Sequence, residues 1–399
     1  MRKHFLPFSP PLIGGEEINE VVNTLRDGWI TTGPKVKRFE QEFAAFVGSP
    51  QALAVNSGTA ALHLALAALG IGSGDAVITT PMTFCSCAHV IEQVGARPIL
   101  VDVEPDTLNI DPNKIEELLE SAIPARPAGG RNPQSAIKAL LPVHLYGSPC
   151  DMDAIMALAR KYNLRVIEDA AHALPAKYKG RFIGTIGDLT AFSFYATKNL
   201  TTGEGGMLAG SPELIEEARI WSLHGMSRDA WKRYTDEGSW YYEVIRPGFK
   251  YNMTDIAAAI GIQQLRKLNQ FHARRKEIVS RYNEVFLQFE ELQIPVQKAE
   301  VDHAWHLYVI RLNQSHLKIN RNQFIEELRK RNIGTSVHFI PIHLHPYYRD
   351  KYGHKPNDFP VTYREYQRII SLPLYPKMTD QDVEDVIEAV KEIAQQFRN

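Results

Sequence analysis

The sequence predicts an α/β protein: a large domain with a mostly parallel sheet flanked by helices, then a smaller α+β C-terminal domain. Three observations carry this. Between Ala52 and Phe194, short apolar runs alternate with helix-spaced segments, the pattern of a sheet covered on both faces. At Thr254 that alternation gives way to one long helical stretch. The 399 residues also exceed the ~100–200 of a single domain.

The elements follow in order. Ala52-Leu53-Ala54-Val55 reads as a strand, and Asn56-Ser57-Gly58-Thr59 as a turn. AALHLALAAL then reads as a helix stopped by Gly70. That helix is apolar nearly all round, so it belongs in the interior. The unit repeats. Strands are expected at 76–79, 98–102, 139–143, 165–169 and 189–194, with helices at 85–94, 112–121 and 152–162. PARPAGGRNPQS, at 124–135, reads as a Pro/Gly-rich surface loop. Thr254 is an N-cap, with Asp255 in the first turn, for a helix reaching about Phe289. A helix of that length is expected to bridge domains. Strand, helix, strand and helix follow at 306–312, 321–331, 335–339 and 379–397. The expected division is 1–13 as a segment packing with the small domain, 14–250 as the large domain and 251–399 as the small one.

Composition excludes several functions. Hydrophobic residues are 44% and charged residues 23%, with a formal net charge of -1. No single-sign field is available to hold nucleic acid or an anionic membrane. No apolar run reaches the ~18 residues a membrane span needs. The N-terminal MRKHFLPFSPPLIGG lacks the apolar core of a signal peptide. Cys85, Cys87 and Cys150 are odd in number and widely spaced overall, which argues against a disulfide framework and for a reducing, cytoplasmic location. They read as buried or half-buried thiols. His338, His343 and His345 have loop-like spacing and no acidic ligand nearby, so no metal is expected.

In an open parallel sheet, ligands sit beyond the carboxyl ends of the strands. Those ends carry Ser57-Gly58-Thr59, Phe84, His144, Asp169 with His172, and Lys198. Singly, each has a structural explanation. Together they are the set that pyridoxal phosphate needs. A lysine amine forms the Schiff base and an acid holds the pyridine nitrogen. A helix N-terminus with hydroxyls holds the phosphate, and an aromatic ring packs on the cofactor ring. There is no Walker A loop and no G-x-G-x-x-G fingerprint, which sets aside a nicotinamide dehydrogenase.

Several long segments then match one family in order: GWITTGPKVKRFE, AVNSGTAALHLAL, EDAAH, SFYATKNLTTGEGG, GFKYNMTDIAAAIG and HFIPIHLHP. From about Ile13 onward the chain resembles the DegT/DnrJ/EryC1/StrS family of sugar aminotransferases, with the type I aminotransferase fold. The resemblance implies that Lys198 forms the Schiff base and shuttles the proton. It implies that Asp169 pairs with the pyridine nitrogen, with His172 near the pyridoxal hydroxyl. Ser57, Gly58, Thr59 and Ser193 would surround the phosphate and Phe84 would stack on the ring. Asn252 would reach the cofactor of the neighbouring subunit in a homodimer. Trp29, Thr31, Tyr195, His338 and His343 would line the substrate crevice. The cofactor would alternate between pyridoxal and pyridoxamine 5′-phosphate. The amino donor would be L-glutamate and the acceptor a nucleotide-linked keto sugar. C4 of a UDP-4-keto sugar is the leading expectation. C3 of a dTDP-3-keto-6-deoxy sugar and a non-catalytic sensor on the same fold are the alternatives.

Overall fold

The computed structural model describes residues 2–121, 137–227 and 241–399. The loop expected at 124–135 lies outside the described residues. The chain opens with helices α1 (Gly15–Asp27) and α2 (Pro34–Val47), followed by β1 (Gln51–Val55), α3 (Gly58–Ala68), β2 (Ala76–Thr79), α4 (Ser86–Gln93), β3 (Arg97–Leu100) and α5 (Pro112–Ser121). Then come β4 (Ile137–Leu140), α6 (Met152–Tyr162), β5 (Arg165–Asp169), the short strands β6 (Lys177–Tyr178) and β7 (Arg181–Phe182), β8 (Leu189–Ser193), β9 (Gly206–Gly210) and α7 (Pro212–Ser222).

The main sheet has seven strands in the order β1-β9-β8-β5-β4-β2-β3. Neighbours from β8 to β3 run parallel, and only β9 runs against both its neighbours. One apolar cluster covers one face with α2 and α6, including Phe39, Phe43, Ile155 and Phe192. A second covers the other face with α3 and α4, including Leu62, Leu64, Leu66 and Val90. Strand β9 was not anticipated, because its glycine ends mask the strand pattern. Helices α1, α2 and α7 were also not anticipated.

Helix α8 (Asp255–Phe286) starts on a Thr254 cap, whose side chain accepts from the Ala257 N–H at 3.2 Å. Its first half lays Ala258, Ile262, Leu265 and Leu268 on the sheet core. Its second half lays Ile278, Val279, Tyr282 and Phe286 in a separate apolar cluster. That second cluster gathers β10 (Leu292–Gln293), β12 (Tyr308–Leu312), α9 (Arg321–Lys330), β13 (Ile369–Leu372) and α12 (Asp380–Gln396); in sequence β11 (Val301–Asp302) lies between β10 and β12, and α10 (Pro346–Tyr352) and α11 (Pro360–Tyr366) lie between α9 and β13. Leu6 from the N-terminal segment is buried in it too. β12 is the centre of a three-stranded antiparallel sheet, β10-β12-β13. The strand expected at 335–339 does not form. Ser336 makes only a bridge to Ser371 of β13, the strand the sequence reading missed. Among the described residues, no helix is long and apolar enough to cross a membrane.

Candidate active site

A cavity of about 530 Å³ opens where β5, β8 and the start of α3 converge. Parallel pairing sets Asp169, the last residue of β5, beside Ala191 of β8. Asp169 is buried and lines the cavity. Its Oδ1 accepts from the Ala171 N–H at 2.9 Å, and its Oδ2 from the Cys87 thiol at 2.9 Å.

Ser57, Gly58, Thr59 and Ser193 form another part of the wall. Ser57 caps α3, its Oγ accepting from the Ala60 N–H at 3.0 Å. The first N–H groups of a helix have no partners within it, so this end offers donors to an anion. The fit is close. A Cβ on Gly58 would lie 2.8 Å from Ser193 Cβ, and one on Gly206 would lie 2.5 Å from the Ser57 carbonyl. In the glycine-rich loop that follows Lys198, Gly206 begins β9 and is needed for close approach. Only Gly203 in that loop adopts a left-handed backbone, at φ +83°.

Lys198 sits in the turn between β8 and β9. Its backbone N–H donates to the Tyr195 carbonyl at 2.9 Å, and that of Thr202 donates to Phe194 at 2.9 Å. The fold thus returns the lysine over the end of β8, where it lines the cavity. Burial lowers its amine to about 8, against the opposing pull of Asp169. About a tenth of the amine is therefore neutral at pH 7 and about half at pH 8, available as a nucleophile or base.

Three histidines complete the wall: His172, His306 and His338. Burial, then the charges of Lys198 and His338, drives His172 well below its usual pKa. Its Nδ1 accepts from the Tyr146 N–H at 3.3 Å, which leaves the ring proton on Nε2. Burial holds His338 down at about 4, and the ring stacks on Phe8 at 5.4 Å. His306 was missed by the sequence reading. Asn199, next to Lys198, donates through Nδ2 to the Leu174 and Ala304 carbonyls at 2.9 and 2.8 Å. Its Oδ1 therefore faces His306 Nδ1 as an acceptor, at 3.1 Å. Phe8, from the N-terminal segment, was also missed, since nothing local in the sequence ties residue 8 to residue 338.

Phe84 and Tyr195 line the cavity from exposed positions, at 57% and 48% exposure. Trp29, Thr31, Asn252 and His343 do not line it. Trp29 is 43% exposed and donates to the Thr32 carbonyl at 2.9 Å. The Thr31 carbonyl accepts from the Asp255 N–H at 2.9 Å. Asn252 donates to Thr32 Oγ1 at 2.7 Å and accepts from Lys250 at 2.6 Å. His343 is wholly buried, packed on Phe359 at 4.8 Å with Nε2 3.3 Å from the Pro356 carbonyl.

The family model for DegT/DnrJ/EryC1/StrS aminotransferases matches residues 11–391. The chain belongs to this family. It is a pyridoxal phosphate-dependent sugar aminotransferase with the type I fold. It is 54% identical to the spore coat polysaccharide biosynthesis protein SpsC of Bacillus subtilis, over 98% of each chain. It is 55% identical to MJ1066, an uncharacterized protein of Methanocaldococcus jannaschii, over the full length of both. Among solved structures it resembles Spr1654 of Streptococcus pneumoniae in its PLP form, with a TM-score of 0.87, 35% identity and coverage of 98% and 99% of the two chains. PseC of Helicobacter pylori, an aminotransferase of pseudoaminic acid biosynthesis, matches with a TM-score of 0.87 and 26% identity, over 99% and 100%.

The residues present in this family member fit the cofactor. A helix start with hydroxyls, a cradle that any Cβ would fill, a buried carboxylate and a buried amine of lowered basicity share one cavity.

Proposed function

We propose that the chain transfers the amino group of L-glutamate to C4 of a UDP-4-keto sugar, in a pathway that builds a glycan. The observation that carries the aminotransfer reading is Lys198, a buried amine lowered to about 8 in a cavity that also holds Asp169. The name of SpsC supports the glycan setting. The segments ATKNLTTGEGG and KYNMTDI support the 4-keto branch.

When bound, pyridoxal phosphate supplies an electron sink for the carbon being deprotonated. Ser57, Gly58, Thr59 and Ser193 would hold its phosphate, with the free N–H groups of α3 adding a positive end. Asp169 would hold the pyridine nitrogen, and Nε2–H of His172 would donate to the ring oxygen. Phe84 would cover the ring face. Lys198 Nζ would take the proton from the α-carbon of glutamate and return it on the cofactor side; in the second half-reaction it would take a proton from the cofactor side and deliver it to the sugar carbon that gains nitrogen. The test is a panel of UDP- and dTDP-linked 3-keto and 4-keto sugars with glutamate, read by mass spectrometry. Turnover confined to a UDP-4-keto sugar is expected. Equal turnover of 3-keto and 4-keto compounds contradicts the C4 assignment.

We further propose that the active form is a homodimer in which Asn252 serves the neighbouring cofactor. Asn252, Trp29 and Thr31 lie together outside the cavity of their own chain, and Trp29 and Ile30 leave apolar surface exposed beside them. Mixing the Lys198→Ala and Asn252→Ala variants, after subunit exchange, tests this. If each site takes one residue from each subunit, half of the mixed dimers' sites are intact. Activity then rises above that of either variant alone. No gain on exchange contradicts sharing.

A further inference from the structure

Cys87 reads from sequence as a buried or half-buried thiol, and the reaction as described above does not use it. It is fully buried in the first turn of α4. Its Sγ donates to Asp169 Oδ2 at 2.9 Å, and Thr83 Oγ1 lies 3.5 Å from the same sulfur. Thr83 and Asp169 both line the cavity, so hydroxyl, thiol and carboxylate form a chain along its wall.

A carboxylate offers about four lone-pair directions. The Ala171 N–H occupies one on Oδ1, and the Cys87 thiol occupies one on Oδ2. Between them they fix the rotation of the carboxylate about its own axis and leave directions open for a donor in the cavity. The chemistry of the donor matters. An arginine, lysine or charged histidine here would neutralise Asp169 and compete with any cation in the cavity. A thiol brings no charge. Burial, then the charge of Asp169, pushes this thiol well above its usual range, so it keeps its proton and remains a donor.

We propose that Cys87 is a positioning residue: it aims the Asp169 carboxylate at the cofactor's pyridine nitrogen while leaving its negative charge free. This rests on the reading that Asp169 holds that nitrogen. A donor role and a packing role make opposite forecasts for two substitutions. Cys87→Val keeps nearly the same volume and removes the donor. Cys87→Ser keeps a donor and loses volume.

The experiment measures cofactor release from the full-length holoenzyme by its visible absorption, together with kcat and KM for glutamate. Cys87→Val is expected to raise the cofactor dissociation constant and lower kcat by about tenfold each, with KM little changed, while Cys87→Ser stays within about threefold of the wild type. Cys87→Val behaving as wild type overturns the proposal, and so does Cys87→Ser falling as far as Cys87→Val. Asp169→Asn separates this from the underlying reading. A strong loss with Asp169→Asn but none with Cys87→Val overturns the proposal alone. No loss with Asp169→Asn overturns both.

Discussion

Replacing Lys198 with alanine is expected to lower kcat by about 10⁴-fold, the upper end of what one acid–base group supplies. The substitution removes the group that takes and returns the proton, and no neighbour can replace it. His172 and His306 are driven well below their usual basicity by burial, and His338 lies at about 4. None of the three is poised to exchange a proton with a carbon acid near neutral pH. The visible band formed with the lysine should vanish as well. In the wild-type chain stripped of cofactor, acylation of Lys198 should rise with pH through a midpoint near 8, because only the neutral amine reacts. A midpoint near that of an ordinary surface lysine, or a variant within about tenfold of wild-type kcat, would remove Lys198 from this role.

The second large effect is expected from Gly206→Ala. The new Cβ would lie 2.5 Å from the carbonyl carbon and oxygen of Ser57, and 2.7 Å from the Gly58 nitrogen. These are backbone atoms at the start of α3 and cannot rotate away. Overpacking of this kind costs about 1–3 kcal/mol. Relief comes by moving the helix start away from β9, which opens the anion cradle. Both stability to denaturant and cofactor affinity should fall. Gly203→Ala is the control. Its Cβ meets nothing within 4 Å, so only the left-handed backbone is penalised, by about 1 kcal/mol. Cofactor affinity should hold there. Unchanged affinity in Gly206→Ala would mean that the close approach does not shape the phosphate site.

The contrast between these glycines shows what the sequence could and could not convey. Asp169, Lys198 and the Ser57–Thr59 turn were legible because each ends a strand, follows one or starts a helix, where a polar group needs a reason. The alternation that defines the sheet was legible for the same reason: periodicity is local. Strand β9 was hidden because Gly206 and Gly210 carry no side chain to report a pattern, and the purpose of Gly206 depends on Ser57, far earlier in the chain. His306 sits in the apolar run HAWHLYVI, and nothing there reveals that Asn199 holds its ring. Cys87 was read only as a buried or half-buried thiol, since its partner Asp169 lies 82 residues on. The strand expected at 335–339 failed because its polar residues bridge to Ser371 only at one point.

The most direct test of the aminotransfer reading separates the two half-reactions. The holoenzyme is mixed with [15N]glutamate and no sugar. The expected result is loss of the visible band, with one 2-oxoglutarate released per Lys198 site. Addition of the UDP-4-keto sugar then restores the band and places the label on the sugar's C4. A band that persists with glutamate, with no 2-oxoglutarate released, would contradict aminotransfer and leave this cavity as a binding site only.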